Sequence, residues 1–135
     1  NRTIAHGRGL AGESGALFHA RVVVVPLDTT VLARALRDCD LLVNTTSVGM
    51  ARPGQPEPLG SPLDEELELR ADMVVNDLVY APLETPLLRR ARAAGARVVD
   101  GLGMLVHQGA AAFELWTGHK PRLDLMRVAA LQVTA

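Results

Sequence analysis

A chain of 135 residues with 48% hydrophobic content can bury one core of ordinary size, so we expect one domain or part of one. Its 14 basic and 15 acidic residues give a formal net charge of -1, which excludes the strongly basic surface typical of proteins that bind nucleic acid or anionic membranes. One cysteine, Cys39, excludes an internal disulfide, and no apolar run approaches the ~20 residues of a membrane span, so we predict a soluble cytoplasmic protein.

The first third of the chain predicts two helices and one strand. Because the chain opens on polar residues without an initiator methionine, we expect further sequence upstream. A helix over residues 4–17 is the weakest prediction, since each of its four glycines lowers helix propensity by up to ~1 kcal/mol. The β-branched run Val22–Val25 is typical of a strand buried on both faces. Thr29 or Thr30 is the expected cap of a second helix, through Leu36.

Strand-like runs and helical stretches alternate through the rest of the chain. The runs are Leu41–Val43, Met73–Val75 with Leu78–Val79, and Val98–Val99. Turn signals predict a helix from Thr85-Pro86 to Gly95, one from Gly103 to Trp116 before Gly118, one over residues 121–133, and a loop over residues 51–62. This alternation predicts βαβ units and an open parallel sheet with helices on both faces.

Polar or glycine-rich segments follow three of the predicted strands. They are Asn44–Gly49, Asn76–Tyr80 and Asp100–Met104. Because the carboxyl ends of neighbouring strands share one crevice in a doubly wound sheet, the three segments predict a ligand site there. The pattern indicates a nucleotide or a small metabolite and does not distinguish between them.

Four motifs resemble the shikimate dehydrogenase family in order and spacing. They are Asn1–Thr3, Asn44–Met50, Asn76–Tyr80 with Thr85–Leu87, and Asp100–Gln108, the last being the most specific together with Ala112–Gly118. The resemblance implies an α/β, doubly wound Rossmann-like sheet that is incomplete, with strands 3 to 6 of a 3-2-1-4-5-6 order in residues 1–118. It also implies that residues 119–135 form a helix packing on an N-terminal substrate domain outside this chain.

The family resemblance implies NADP-dependent reduction of 3-dehydroshikimate to shikimate, and it assigns roles to particular residues. Asn1, Arg2 and Thr3 match a turn that holds the 2′-phosphate of NADP, and a guanidinium fork suits a phosphate dianion. His6 stands where the family often has a second arginine, which weakens the expected preference for NADP over NAD. Further implied cofactor contacts are Thr46, Ser47, Leu78, Gly101 and Met104, and the implied substrate contacts are Tyr80 and Gln108.

The catalytic residues that the resemblance implies, a lysine and an aspartate, belong to the family's N-terminal domain and match nothing here. The one lysine, Lys120, lies outside the matching motifs, and the histidines lack metal-ligand spacing, so we expect no metal. The expected partners are the substrate and the N-terminal part of the enzyme, without nucleic acid or membrane; homodimer formation is left open. Two alternatives also stay open: a non-catalytic nucleotide-binding module, and a quinate/shikimate dehydrogenase paralogue with relaxed cofactor choice.

Overall fold

The computed structural model describes residues 3–51 and 60–134. They form two compact units. The first comprises the described residues up to Cys39 together with Glu66–Glu68, and the second holds the remaining described residues. Among the helices of these residues, none combines the length and the apolar composition needed to cross a membrane.

The first unit contains two helices, α1 (Ile4–Phe18) and α2 (Thr29–Arg37). The glycines of α1 do not break it, and the helix is one residue longer than predicted. Helix α2 begins differently from the prediction, because its cap is Asp28 rather than Thr29 or Thr30. The Asp28 carboxylate accepts a hydrogen bond of 3.1 Å from the backbone N–H of Val31. An acidic cap also interacts favourably with the positive end of the helix dipole.

The predicted strand at Val22–Val25 does not form and has no regular secondary structure. Val22 and Val23 are 45% and 64% exposed, respectively. The sheet of the described residues has the order β1-β2-β3, and this segment is not one of its strands. A strand needs a neighbouring strand to complete its hydrogen-bond ladder, so the β-branched composition alone does not produce one.

The second unit is built on a parallel sheet of three strands, β1 (Leu41–Asn44), β2 (Val74–Asp77) and β3 (Arg97–Val99), in the order β1-β2-β3. The register pairs Asn44 with Asp77 and Val75 with Val98, so the carboxyl ends of β1 and β2 are level. The α/β class and the parallel arrangement predicted from the sequence are thereby confirmed, with three strands instead of four.

Helix α3 (Pro86–Ala93) connects β2 to β3 and packs on both strands. It begins as predicted: the Thr85 hydroxyl accepts from the N–H of Leu88 at 3.3 Å, and Pro86 occupies the first turn. Its inner face buries Leu87, Leu88 and Ala91. Burial of this face fixes α3 on the sheet and thus sets where the chain leaves β2.

Helices α4 (Leu102–Thr117) and α5 (Leu123–Thr134) follow β3 and pack against each other. Their contact is close at Gly109, where an added Cβ would lie 3.2 Å from Cε of Met126. Helix α4 ends at Gly118, as predicted, in a left-handed conformation with φ of 72°. At the start of α5, the Arg122 guanidinium hydrogen-bonds Asp124 and lowers the pKa of that carboxyl.

Candidate functional site

A buried hydrogen-bond network joins the carboxyl ends of β1 and β2. Asp77, which is fully buried, accepts a hydrogen bond of 2.9 Å from Nδ2 of Asn44 through its Oδ1. The same oxygen accepts from the N–H of Val79 at 3.0 Å, and Oδ2 accepts from the Thr85 hydroxyl at 2.7 Å. One carboxylate therefore connects two strand ends and the start of α3.

The turn after β1 takes its shape from Asn44. The amide oxygen of Asn44 accepts from both the N–H and the hydroxyl of Thr46, at 3.0 and 2.7 Å. Its Nδ2 also donates to the carbonyl of Val48, and the Thr46 hydroxyl accepts from the Val48 N–H, both at 3.2 Å. The turn thus presents Thr46 and Ser47, which are exposed, on a framework of side-chain hydrogen bonds.

The segment after β2 lies beside this turn. The N–H of Leu78 donates to the carbonyl of Asn44 at 3.0 Å, which extends the pairing of the two strands by one residue. Leu78 and Tyr80 are half-buried, whereas Val79 between them is buried. Further on, the N–H of Ala51 donates to the carbonyl of Ala81 at 2.8 Å. The structure therefore brings the segments containing Ser47 and Tyr80 to one edge of the sheet.

Gly101, after β3, joins the same edge by a contact that only glycine can make. A Cβ at this position would lie 2.5 Å from the carbonyl oxygens of both Leu78 and Val79. The N–H of Leu102 then donates to the Asp100 carboxylate at 3.1 Å where α4 begins. All three polar segments predicted from the sequence accordingly meet at the carboxyl ends of the strands.

The remaining predicted residues lie on α4, at the start of α1 or outside the described part of the chain. Met104 is half-buried and Gln108 exposed, one turn apart on the same face of α4, with Gln108 roughly 10 Å along the helix from Gly101. Thr3 and His6 are exposed at the start of α1 in the first unit. The two residues before them, Asn1 and Arg2, lie outside the described residues.

The chain is similar to known proteins over nearly its whole length. Residues 101–131 match the family model described as the Shikimate 5'-dehydrogenase C-terminal domain. A shikimate dehydrogenase (NADP(+)) of Methanopyrus kandleri is 46% identical over 132 residues, which are 98% of this chain and 44% of that protein.

The chain belongs to the shikimate dehydrogenase family.

Two solved structures extend the similarity to the fold of the shikimate dehydrogenases. The Thermus thermophilus shikimate 5-dehydrogenase in complex with NADP(H) and shikimate has a TM-score of 0.73 at 41% identity, covering 98% of this chain and 44% of that one. A Corynebacterium glutamicum quinate dehydrogenase in complex with NAD has a TM-score of 0.81 at 33% identity, covering 97% of this chain and 44% of that one. The chain thus spans less than half the length of these relatives.

No role in holding the strand ends together was predicted from the sequence for Asn44, Asp77 or Thr85. All three lie within the sequence motifs, but Asn44 and Asp77 were given no role and Thr85 only that of a cap. A usable signal was present, because a polar residue that ends a buried strand needs a hydrogen-bonding partner. A neighbouring residue on β2, Asn76, has a buried Oδ1 without a hydrogen-bond partner among the described residues.

No group of three or more His, Cys, Asp or Glu side chains within residues 3–51 and 60–134 is arranged to hold a metal ion. The site at the strand ends is instead composed of hydroxyls, backbone groups and apolar walls. At Gly103, in the first turn of α4, a Cβ would have no atom of the described residues within 4 Å apart from its own helix backbone and chain neighbours. A ligand can therefore approach the backbone of α4 closely at this point.

Proposed function

We propose that this chain is the NADP-binding C-terminal part of a shikimate dehydrogenase, which reduces 3-dehydroshikimate to shikimate with NADPH. The observation that carries the proposal is the 46% identity over 98% of the chain to a protein named shikimate dehydrogenase (NADP(+)). The cluster of strand ends supports it, because dinucleotides bind across the carboxyl edge of such sheets. As a soluble biosynthetic enzyme it would work in the cytoplasm.

The residues at the strand ends fit a dinucleotide. Exposed Thr46 and Ser47 offer hydroxyls on a turn of fixed shape, suited to the pyrophosphate and ribose. Leu78 and Met104 are half-buried and provide apolar walls for the nicotinamide beside the backbone of Gly101. When bound, the cofactor would supply the hydride, and these residues would bind and orient it.

Contacts to the 2′-phosphate of NADP are assigned to the beginning of the chain. In this proposal the guanidinium of Arg2 pairs with the phosphate, and Asn1 and Thr3 contribute further contacts to it. His6 lies in the first turn of α1 and is exposed, so it can approach an anionic group. An imidazole lacks the planar fork of donors with which a guanidinium pairs with a phosphate, so discrimination against NAD would be moderate.

The substrate would be contacted by Tyr80 and Gln108. Tyr80 follows the network at the end of β2 and is half-buried, which leaves part of the residue accessible. Gln108 is exposed on α4, and its amide can both donate and accept, which suits a ring that carries several hydroxyls. The lysine and aspartate that transfer the proton would come from an N-terminal part of the enzyme outside this chain.

Exposed apolar side chains on α4 and α5 support a contact with such an N-terminal part. Leu115 and Trp116, near the end of α4, are 83% and 81% exposed, and Leu125 and Val128 on α5 are exposed as well. Single exposed apolar residues are ordinary, whereas a group on two packed helices is typical of an interface. We assign residues 119–135 to packing on the N-terminal domain and leave a homodimer as an alternative occupant.

A second candidate, quinate dehydrogenase with NAD, is favoured by the similarity to the C. glutamicum enzyme. The test is to measure kcat/KM of the full-length protein for shikimate and for quinate, each with NADP and with NAD. The proposal predicts the highest value for shikimate with NADP. A preference for quinate with NAD would support the second candidate, and cofactor binding without turnover on either substrate would indicate a binding module.

A further inference from the structure

The buried carboxylate of Asp77 lies between the turn assigned to the cofactor and the segment assigned to the substrate. We propose that Asp77 is a positioning residue that fixes both segments at once, so that the nicotinamide and the substrate ring are held in reacting distance. The inference rests on the proposed function and adds a residue that touches neither ligand. Because Asp77 is fully buried, it acts only through its hydrogen-bonding partners.

On the cofactor side, Asp77 acts through Asn44. Nδ2 of Asn44 donates to Oδ1 of Asp77 at 2.9 Å and to the carbonyl of Val48 at 3.2 Å, and the shorter of these two bonds ties the amide to the end of β2. In this orientation the amide oxygen faces Thr46 and accepts two hydrogen bonds from it, at 3.0 and 2.7 Å. The Asp77 carboxylate therefore contributes to fixing where Thr46 and Ser47 stand.

On the substrate side, the contact is direct. Oδ1 of Asp77 accepts from the N–H of Val79 at 3.0 Å, and this residue lies between Leu78 and Tyr80. Oδ2 accepts from the Thr85 hydroxyl at 2.7 Å, which ties the end of the same loop to the start of α3. Both ends of the segment that carries Tyr80 are thus held by one side chain.

A carboxylate is required here because three donors converge on its two oxygens. Asparagine has nearly the same shape but only one acceptor oxygen, so its NH₂ group would face the Thr85 hydroxyl. The Thr85 oxygen already accepts from the N–H of Leu88, and its buried proton would lose its acceptor. Asp77→Asn therefore loosens the network without opening a cavity.

The experiment compares steady-state kinetics of the full-length wild-type enzyme and Asp77→Asn with shikimate and NADP. We expect kcat/KM to fall roughly 10- to 100-fold, since small displacements of bound reactants have effects of this size. The KM values for shikimate and for NADP should both rise. A shift in both is the signature of a shared anchor, because loss of folded protein alone lowers kcat and leaves KM unchanged.

Val75→Ala is the matched control, since Val75 is fully buried on the same face of the same strand and makes no side-chain hydrogen bond. It should lower Tm and leave both KM values unchanged. If Asp77→Asn does not fold, the variants Thr85→Val and Thr85→Ser replace it. Thr85→Ser should keep the wild-type KM values, and Thr85→Val should raise the KM for shikimate and the KM for NADP.

Two outcomes would overturn the inference, and they are distinguishable. The first outcome is an active wild type with a variant, Asp77→Asn or its replacement Thr85→Val, that raises only one of the two KM values or none. Asp77 would then not position both ligands. If wild type is inactive on shikimate, the proposed function fails and the inference fails with it.

Discussion

Gly101 and Gly103 stand two residues apart at the start of α4 in opposite surroundings. The backbone of Gly101 touches the carbonyls of Leu78 and Val79, whereas no atom of the described residues outside α4 lies within 4 Å of the position that a Cβ on Gly103 would take. The first glycine is thus needed for the contact between two strand ends, and the second is not needed for folding. Replacing each with alanine separates these two roles.

Gly101→Ala should destabilise the full-length enzyme by about 2 to 3 kcal/mol, because the new Cβ overlaps backbone oxygens that cannot rotate away. Gly103→Ala, the matched control, should be neutral or stabilising by up to ~1 kcal/mol, since alanine favours a helix. Denaturant unfolding measures both. Equal effects of the two substitutions would contradict the close contact at Gly101.

Gln108→Ala should lower kcat/KM for shikimate roughly 10- to 100-fold, about 1.4 to 2.7 kcal/mol of lost substrate interaction. The affinity for NADP should hardly change. His107→Ala is the control, because His107 is also exposed but points about 100° away around the helix. A loss of NADP affinity with unchanged shikimate kinetics would mean that Gln108 faces the cofactor.

At the scale of elements, Arg90 on α3 holds the segment before β2. Its guanidinium donates to the carbonyls of Leu63, Asp64 and Glu65, at 2.9 to 3.3 Å, and to the hydroxyl of Ser61 at 3.4 Å. A planar fork with several donors can satisfy these acceptors together, which a lysine cannot. Arg90 thereby links α3 to a segment of irregular structure.

Arg90→Met should lower the free energy of unfolding by about 2 kcal/mol, because hydrogen bonds from a partly buried charged group contribute on this scale. Arg89→Met is the control, because Arg89 is exposed and its guanidinium makes a single hydrogen bond among the described residues, of 3.1 Å to the carbonyl of Glu84. Its effect should stay within about 0.5 kcal/mol. Equal losses would show that the Arg90 contacts contribute little.

The sequence predicted the elements whose signals are local. Thr85-Pro86 and Gly118 mark helix ends through hydrogen bonds and dihedral angles within a few residues, so α3 and the end of α4 were predicted correctly. Val22–Val25 failed because a strand depends on a partner distant in sequence. The meeting of the three polar segments at one edge was predicted from the topology, because the carboxyl ends of neighbouring parallel strands lie together. The pairing of Asn44 with Asp77 was not predicted, because it depends on the register of β1 against β2.

At the scale of the whole molecule, the chain spans 44% of the Methanopyrus kandleri relative and leaves apolar surface exposed at both the sheet and the last two helices. Leu41 and Val43 on β1 are 56% and 40% exposed, and Trp116 on α4 is 81% exposed. Strand edges and apolar faces of this kind are normally covered. We therefore expect these surfaces to be covered in the full-length protein.

The measurement that tests this account most directly is NADPH-dependent reduction of 3-dehydroshikimate, followed by NADPH absorbance, for the full-length protein and for the purified 135-residue chain. Reduction of the carbonyl needs a hydride from a bound nicotinamide and a proton for the oxygen, and we propose that the proton donor lies outside this chain. We predict turnover by the full-length protein and none by the chain alone. Turnover by the isolated chain, or a full-length protein inactive on 3-dehydroshikimate, would contradict the account.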